Sequence, residues 1–138
     1  MQAWYGEKSY QYSGIHLPAQ SFTPLLAEIL QLTEQLTGHQ FNVVLANFYR
    51  DGQDSVGWHS DDEKELGVNP VVATVSLGAT RRFSLKPKYE PKPPLKIDLP
   101  AGSLLVMEEG VQEAWQHAVL KDKLVQEGRI SLTFRYIY

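Results

Sequence analysis

Cysteine is absent from this chain of 138 residues. The absence excludes disulfide bonds, thiolate nucleophiles, and zinc or iron–sulfur sites that depend on cysteine. Any metal bound by the protein must therefore be held by histidine, aspartate or glutamate. The sequence has four histidines, and these are His16, His39, His59 and His117.

Long apolar runs are also absent. No stretch approaches the ~20 apolar residues that span a bilayer, and no basic-then-apolar leader resembles a signal peptide. The net charge of −3 argues against a protein that coats nucleic acid, although a local basic face is compatible with it. We therefore expect no membrane partner and a location in the cytoplasm, or in the nucleus as well if the source is eukaryotic. A monomer is expected too, although no feature of the sequence determines the oligomeric state.

One clear helix is predicted, over residues 22–37. Thr23 and Pro24 are typical of a helix start, and Gly38 is typical of a helix stop. Within the helix, Leu25, Ile29, Leu32 and Leu36 recur at helical spacing. We expect this leucine face to cover a sheet.

From residue 41 onward the apolar pattern has the period of β-strands. Many short strands, separated by glycine and proline turns and accompanied by one or two flanking helices, are typical of a mainly β sandwich or barrel with a helical buttress. A chain of this length fits one domain. Strands are predicted over residues 41–49, 71–77, 82–86, 95–99, 103–107, 115–120 and 129–138.

Two candidate metal ligands stand two residues apart in the segment Trp58–Glu63. In an extended backbone, His59 and Asp61 point the same way and can converge on one ion. His117, on a late strand, supplies a third candidate. Two imidazoles and one carboxylate form the ligand set of non-haem Fe(II) oxygenases, but similar sets hold zinc in hydrolases.

The last strand carries a polar row. Arg129, Ser131, Thr133 and Arg135 share one face of this strand. Inside a barrel such a row requires an anion, and two arginine forks suit a dicarboxylate such as 2-oxoglutarate. The alternative is the exposed face of an edge strand.

Two further pairs of polar side chains follow strand periodicity. Asn47 and Tyr49 can both donate to a carboxylate, or they are ordinary strand polarity. Tyr10 and Tyr12 fit either an edge hairpin packed on the core or a platform that stacks on a planar ligand.

Five ordered motifs carry a family resemblance over roughly residues 9–138. They are Asn47–Tyr49, Trp58–Glu63, Ser76–Arg81, Trp115–His117 and the pair Arg129-x5-Arg135. In this order they resemble the AlkB family of Fe(II)/2-oxoglutarate-dependent dioxygenases. The residues within these motifs are most similar to those of the branch that contains the second and third human AlkB homologues.

The resemblance implies a double-stranded β-helix, or jelly roll, with a helical buttress. Residues 1–138 would form a single dioxygenase domain, with a lid strand and supporting helix in 1–38 and the jelly-roll core in 39–138. The expected cofactors are Fe(II), 2-oxoglutarate as cosubstrate, and O₂. Iron would be held by His59, Asp61 and His117. The cosubstrate would be bound by Asn47, Tyr49, Arg129, Thr133 and Arg135.

The resemblance also implies a substrate. Asp62, with Glu63 assisting, would contact the base, and a carboxylate there favours cationic bases such as 1-methyladenine and 3-methylcytosine. Tyr10, Tyr12 and Ser13 would line the base pocket from the lid. Arg81 would contact the substrate or lock the lid.

The expected reaction is oxidative dealkylation of N-methylated bases in DNA or RNA, with 2-oxoglutarate decarboxylation coupled to methyl hydroxylation and formaldehyde release. The chain begins almost at the lid, so we expect single-stranded DNA or RNA to be preferred over duplex. One alternative is an Fe(II)/2-oxoglutarate hydroxylase or demethylase with a substrate other than nucleic acid. Another is a non-catalytic nucleic-acid-binding module.

Overall fold

The computed structural model describes residues 1–6, 8–12 and 15–138, with the backbone alone described for residues 10–12, 15 and 17. Within these residues the chain forms eleven strands, two α-helices and one short 3₁₀ turn. Every strand pairing is antiparallel. The helices are α1 (Pro24–Thr37) and α2 (Val111–Ala114), and the 3₁₀ turn is Lys64–Leu66.

The strands form two larger sheets and one hairpin. The major sheet contains, in spatial order, β1 (Gln2–Gly6), β4 (Val43–Tyr49), β11 (Arg129–Arg135), β6 (Val72–Gly78) and β9 (Leu104–Met107). The minor sheet contains β5 (Val56–His59), β10 (Trp115–Val119), β7 (Arg81–Pro87) and β8 (Leu95–Leu99). The hairpin consists of β2 (Tyr10–Tyr12) and β3 (Ile15–Leu17).

The apolar core between the sheets draws on both of them. Phe83, Leu99 and Val119 of the minor sheet cluster with Tyr49 and Met107 of the major sheet. Two antiparallel sheets joined in this way, with helices outside, confirm the mainly β jelly-roll fold class. The arrangement leaves a cavity between the sheets.

The polar strand β11 lies in the middle of the major sheet. It pairs with β4 on one side and β6 on the other, so that Arg129 stands opposite both Tyr49 and Gly78. Its apolar residues Leu132 and Phe134 are buried on the opposite face, toward α1. The polar row therefore faces the interior, and the alternative of an exposed edge strand is wrong.

The helix starts and stops where the sequence predicts. Thr23 accepts a hydrogen bond from the backbone of Leu26 at 3.1 Å. Gly38 ends the helix with a left-handed φ of 75° and donates its N–H to the carbonyl of Glu34. Both are the expected caps for these residue types.

The predicted leucine face of α1 is wrong. Leu25 and Leu36 are 65% and 75% exposed, and Leu32 is exposed as well. The helix instead packs on the major sheet through a neighbouring stripe, formed by Phe22, Leu26, Ile29, Leu30 and Thr33. Two apolar stripes share Ile29, and periodicity alone does not distinguish which of them meets the sheet.

The two ends of the chain also differ from expectation. β1 pairs with β4, so residues 2–6 extend the major sheet, and this strand was not among the lid strand and supporting helix expected for residues 1–38. The last strand ends at Arg135 rather than at residue 138. Beyond it, the backbone of Ile137 bonds to the side chain of Asn42 instead of to a strand.

None of the helices in the described ranges has the length and apolar character needed to cross a membrane. The expectations of a monomer and of a cytoplasmic location stay predictions.

Candidate metal and anion site

Three candidate metal ligands meet at the edge of the minor sheet. His59, at the end of β5, stands directly opposite His117 on β10, and their ring centroids are 4.2 Å apart. Asp61 follows β5, with its carboxylate oxygens 3.9 Å from Nε2 of His59 and 4.0 Å from Nε2 of His117. One ligand atom from each of the three lies within 4.8 Å of the others.

Both imidazoles bring Nε2 to within 4.0 Å of the Asp61 carboxylate. The Nδ1–H of His59 donates to the carbonyl of Gly57 at 2.7 Å, so in the neutral tautomer with this bond Nε2 carries the lone pair. Burial lowers the pKa of His117 to about 4, although the nearby charge of Asp61 acts in the opposite direction. His117 is therefore neutral at neutral pH.

Asp61 is a buried carboxylate, 1% exposed. Burial by itself would raise its pKa, but Arg135, with the two imidazoles, holds the pKa below the usual range. Its Oδ1 has no hydrogen-bond partner among the described residues. The distances to the imidazoles exceed a hydrogen bond and suit ligands that share one ion, so the residues present fit a divalent metal.

A glutamine that the sequence analysis missed holds Asp61 in place. Asp61 lies outside the sheet, and its backbone N–H donates to Oε1 of the buried Gln112 on α2 at 2.8 Å. The amide nitrogen of Gln112 contacts Sδ of Met107 at 3.3 Å. Ser60 adds a second tie through its bond to the carbonyl of Trp115 at 2.6 Å. Gln112 belongs to no motif or periodic pattern, so the sequence alone could not identify it.

The metal triad opens on a cavity between the two sheets. The five residues predicted to bind 2-oxoglutarate all line this cavity together with the triad; they are Asn47, Tyr49, Arg129, Thr133 and Arg135. Thr74 also lines it and lies 3.5 Å from Thr133 through the hydroxyl oxygens. Thr74 and Ser76 are two residues apart on β6 and therefore share one face of the strand. Strand periodicity could have identified these two polar residues from the sequence.

Arg129 has the properties of an anion-binding group. It is buried, and its Nη2 donates to Oγ of Ser76 at 2.9 Å. Its Nε and Nη1 have no partner within the described chain. Burial lowers its pKa, but an arginine stays protonated in a protein. A buried cation with unpaired donors is costly unless an anion completes it.

Arg81 neither contacts the cavity nor, in its described contacts, the lid. It is 1% exposed, and its guanidinium donates to the backbone carbonyls of Asp51, Asp54 and Leu120. Because all of these hydrogen bonds go to backbone carbonyls, they do not support the expected contact of Arg81 with the substrate. Its guanidinium carbon lies 5.5 Å from the ring centroid of Tyr49.

The predicted substrate residues lie outside the cavity or outside the description. Asp62 is exposed and lines a surface groove with Asp61, Tyr89 and Gln112. Glu63 is half-buried, and its Oε2 has no partner among the described residues.

The lid residues are described only in part. The strands that carry Tyr10 and Tyr12 form the β2–β3 hairpin, but their side chains lie outside the described atoms. Ser13 lies outside the described residues altogether. Their predicted contacts with the base stay predictions.

Comparison with known families agrees with this geometry. Residues 2–135 match the family model of the 2OG-Fe(II) oxygenase superfamily, and the chain belongs to that superfamily. The match confirms the predicted cofactors, Fe(II) and 2-oxoglutarate with O₂, and it favours iron over the zinc alternative for the ligand set.

Within the superfamily the chain is similar to AlkB proteins, which confirms the resemblance. It is 45% identical over 147 residues to alpha-ketoglutarate-dependent dioxygenase alkB homolog 3 of Rattus norvegicus, covering 100% of this chain and 50% of that protein. It is 38% identical over 145 residues to DNA oxidative demethylase ALKBH2 of Homo sapiens, covering 99% and 56%. The chain thus spans about half the length of these relatives.

A solved structure supports the fold. The structure of OsALKBH1 superposes with a TM-score of 0.70 at 20% identity, covering 97% of this chain and 77% of that one. At this identity the likeness concerns the jelly-roll architecture alone.

Proposed function

We propose that this chain binds Fe(II) through His59, Asp61 and His117, and binds 2-oxoglutarate in the adjoining cavity. One observation carries the proposal: the two-imidazole, one-carboxylate set lines the same cavity as two buried arginines. A metal that keeps open positions beside a dicarboxylate site is the arrangement that 2-oxoglutarate oxygenases require.

The cavity residues divide the work of binding. Arg129 and Arg135 supply positive charge for the two carboxylates of 2-oxoglutarate, whereas Asn47, Tyr49 and Thr133 supply hydrogen-bond donors. Because these side chains come from β4 and the central strand β11, the sheet fixes their relative positions. The neutral imidazole of His117 and the ionised carboxylate of Asp61 can bind a metal without first losing a proton.

The proposed substrate is a nucleic acid with N-methylated bases of the 1-methyladenine and 3-methylcytosine type. When bound, iron with 2-oxoglutarate and O₂ supplies the oxidation that hydroxylates the N-methyl carbon, which leaves as formaldehyde. Asp62, exposed in the groove beside Asp61, provides a negative charge that attracts a cationic base. The similarity to a DNA oxidative demethylase supports this substrate class.

The test is a formaldehyde-release panel over methylated single- and double-stranded DNA and RNA, with Fe(II), ascorbate and 2-oxoglutarate at saturation. We expect release from 1-methyladenine and 3-methylcytosine oligonucleotides, and none from the His117→Ala variant. Release from single strands in excess of duplex would confirm the expected strand preference. Succinate production without formaldehyde from any oligonucleotide would indicate a substrate other than nucleic acid.

A further inference from the structure

Arg81 is a buried cation outside the proposed cofactor site. It begins β7, directly after a turn that carries the chain from the major sheet to the minor sheet. The turn requires glycine at position 78, where φ is +89° and a Cβ would collide with the carbonyl oxygen of Gly128. The Arg81 side chain lies beside Tyr49, the last residue of β4.

The hydrogen bonds of Arg81 leave its charge uncompensated. Its three acceptors are backbone carbonyls, at 3.1 Å from Asp51, 3.0 Å from Asp54 and 2.9 Å from Leu120. Over the described chain, Arg81 takes part in none of the seven ion pairs. These bonds fix the β4–β5 loop and the end of β10, but they supply no negative charge.

Tyr49 connects Arg81 to the cavity. Two guanidinium groups lie over its ring, Arg81 at 5.5 Å and Arg129 at 5.1 Å from the centroid. Tyr49 and Arg129 are also directly opposite in the β4–β11 register. The ring of Tyr49 is therefore held by one arginine that faces the cavity and by a second that is anchored to backbone.

Two buried cations around one tyrosine repel each other, and neither has a carboxylate partner in the described residues. An anion in the cavity offsets this repulsion, and a dianion offsets more of it than a monoanion does. The field of Arg81 therefore acts on any ligand beside Arg129, although Arg81 does not touch that ligand.

We propose that Arg81 is a positioning residue for the cosubstrate: it holds Tyr49 and adds a buried positive charge that selects a dicarboxylate over a monocarboxylate 2-oxo acid. This inference rests on the proposed function, because it places 2-oxoglutarate in the cavity that Tyr49 and Arg129 line. It extends that function from binding to charge selectivity.

The experiment measures equilibrium binding in the presence of Mn(II), which avoids turnover. 2-Oxoglutarate and 2-oxopentanoate, which lacks the second carboxylate, are titrated at constant ionic strength into the parent protein, Arg81→Gln and Arg82→Gln. Arg82 is the matched control, because it is the next residue, carries the same charge, and is an exposed partner of Asp98 at 3.3 Å.

We expect Arg81→Gln to weaken 2-oxoglutarate binding about tenfold and 2-oxopentanoate binding about threefold, so that discrimination between them falls. Arg82→Gln should leave both affinities unchanged. Equal losses for the two acids in Arg81→Gln would overturn the charge selectivity, because a purely structural role weakens both alike.

Arg81→Lys provides a second variant that preserves the charge but not the three-carbonyl anchorage. Arg81→Lys should bind both 2-oxo acids more weakly but keep the parent's ratio of affinities between them. Thermal denaturation checks that this variant folds. If Arg81→Gln does not fold, unchanged affinities in Arg81→Lys would overturn the positioning role. A parent protein that binds no 2-oxoglutarate with Mn(II) would overturn the proposed function as well, whereas normal parent binding with unaltered Arg81 variants refutes this inference alone.

Discussion

Nη2 of Arg135 lies 3.3 Å from Oδ2 of Asp61, and both side chains are buried. This ion pair joins the metal triad to the anion cavity, because Asp61 belongs to the triad and Arg135 lines the cavity. Arg135 is also the main attractive charge that holds the pKa of Asp61 low. A change at Arg135 should therefore affect both halves of the site, in contrast to a change at Arg129.

The first prediction concerns Arg135→Gln. We expect it to weaken both Mn(II) binding and 2-oxoglutarate binding, because the carboxylate of Asp61 loses its cation and the cavity loses a charge. Breaking a buried ion pair should also lower the free energy of unfolding by ~3 kcal/mol, measured by urea denaturation. Arg129→Gln should weaken 2-oxoglutarate binding with little effect on Mn(II).

The exposed pair Arg50–Asp54, at 2.9 Å, supplies the control for that variant. Arg50→Gln removes the same charge from a solvent-exposed ion pair and should change neither binding constant. Mn(II) affinity that is unaltered in Arg135→Gln would contradict the coupling between the two halves.

A second prediction tests Gln112, the partner of the Asp61 backbone. Gln112→Leu leaves a buried N–H without an acceptor, which costs ~1–3 kcal/mol of stability and loosens a metal ligand. Loss of an outer partner of this kind typically costs about 10–100-fold in metal affinity. We expect weaker Mn(II) binding, measured by electron paramagnetic resonance, with 2-oxoglutarate affinity at saturating Mn(II) nearly unchanged.

Glu113→Leu, on the same short helix but exposed, is the matched substitution. It should leave Mn(II) affinity at the parent value. If both variants lost metal affinity equally, the effect would come from α2 as a whole and not from the bond to Asp61.

The third prediction follows from the pKa of His117, which burial lowers to about 4. Below pH ~6.5, His117 binds a proton in the unfolded chain but stays neutral in the folded chain. The metal-free protein should therefore lose stability as the pH falls from ~6.5 toward 4. The loss should be of order 1–3 kcal/mol by urea denaturation in EDTA. His117→Gln should flatten this dependence, and an equally steep dependence in that variant would contradict the assignment.

Much of the site could be predicted because its residues follow strand periodicity. Asn47 and Tyr49 share one strand face, as do Arg129, Ser131, Thr133 and Arg135, and the i, i+2 spacing predicts this directly. Asp61 lies just beyond the end of β5, but its spacing of two from His59 still predicted that the two side chains converge. The structure brings these side chains together because β11 lies between β4 and β6. Whether they hold the metal and cosubstrate stays a proposal.

Other features have no such signal. Gln112 lies 51 positions from Asp61 in the sequence and contacts it through one hydrogen bond from the Asp61 backbone. No sequence pattern near either residue predicts this contact. β1 joins the sheet by pairing with β4, a contact that local pattern does not specify. The buried face of α1 was misassigned because two apolar stripes compete on that helix, and only the sheet decides between them.

A fourth prediction tests that helix. Leu26→Ala removes a side chain that packs on the core cluster of Phe134, whereas Leu25→Ala removes one that is 65% exposed. We expect Leu26→Ala to lower the free energy of unfolding by ~2 kcal/mol and Leu25→Ala by less than ~0.5 kcal/mol. Both residues are leucines in the first turn of the same helix, so helix propensity cancels. The reverse order would restore the leucine face predicted from the sequence.

The last prediction concerns substrate charge. Asp62 is exposed in the groove beside the metal triad, so its carboxylate can attract a cationic base without holding the metal. We expect Asp62→Asn to lower kcat/KM for a 1-methyladenine oligonucleotide roughly three- to tenfold, since an exposed charge pair is screened by water. Mn(II) and 2-oxoglutarate affinities should not change. Glu65→Gln is the control, because Glu65 is an exposed carboxylate on the neighbouring 3₁₀ turn, and it should leave kcat/KM unchanged.

An oligonucleotide with the uncharged base 1-methylguanine separates the effect of charge from that of contact. If Asp62→Asn lowers kcat/KM equally for both bases, the carboxylate acts by shape or hydrogen bonding, and attraction of the cation is not its role.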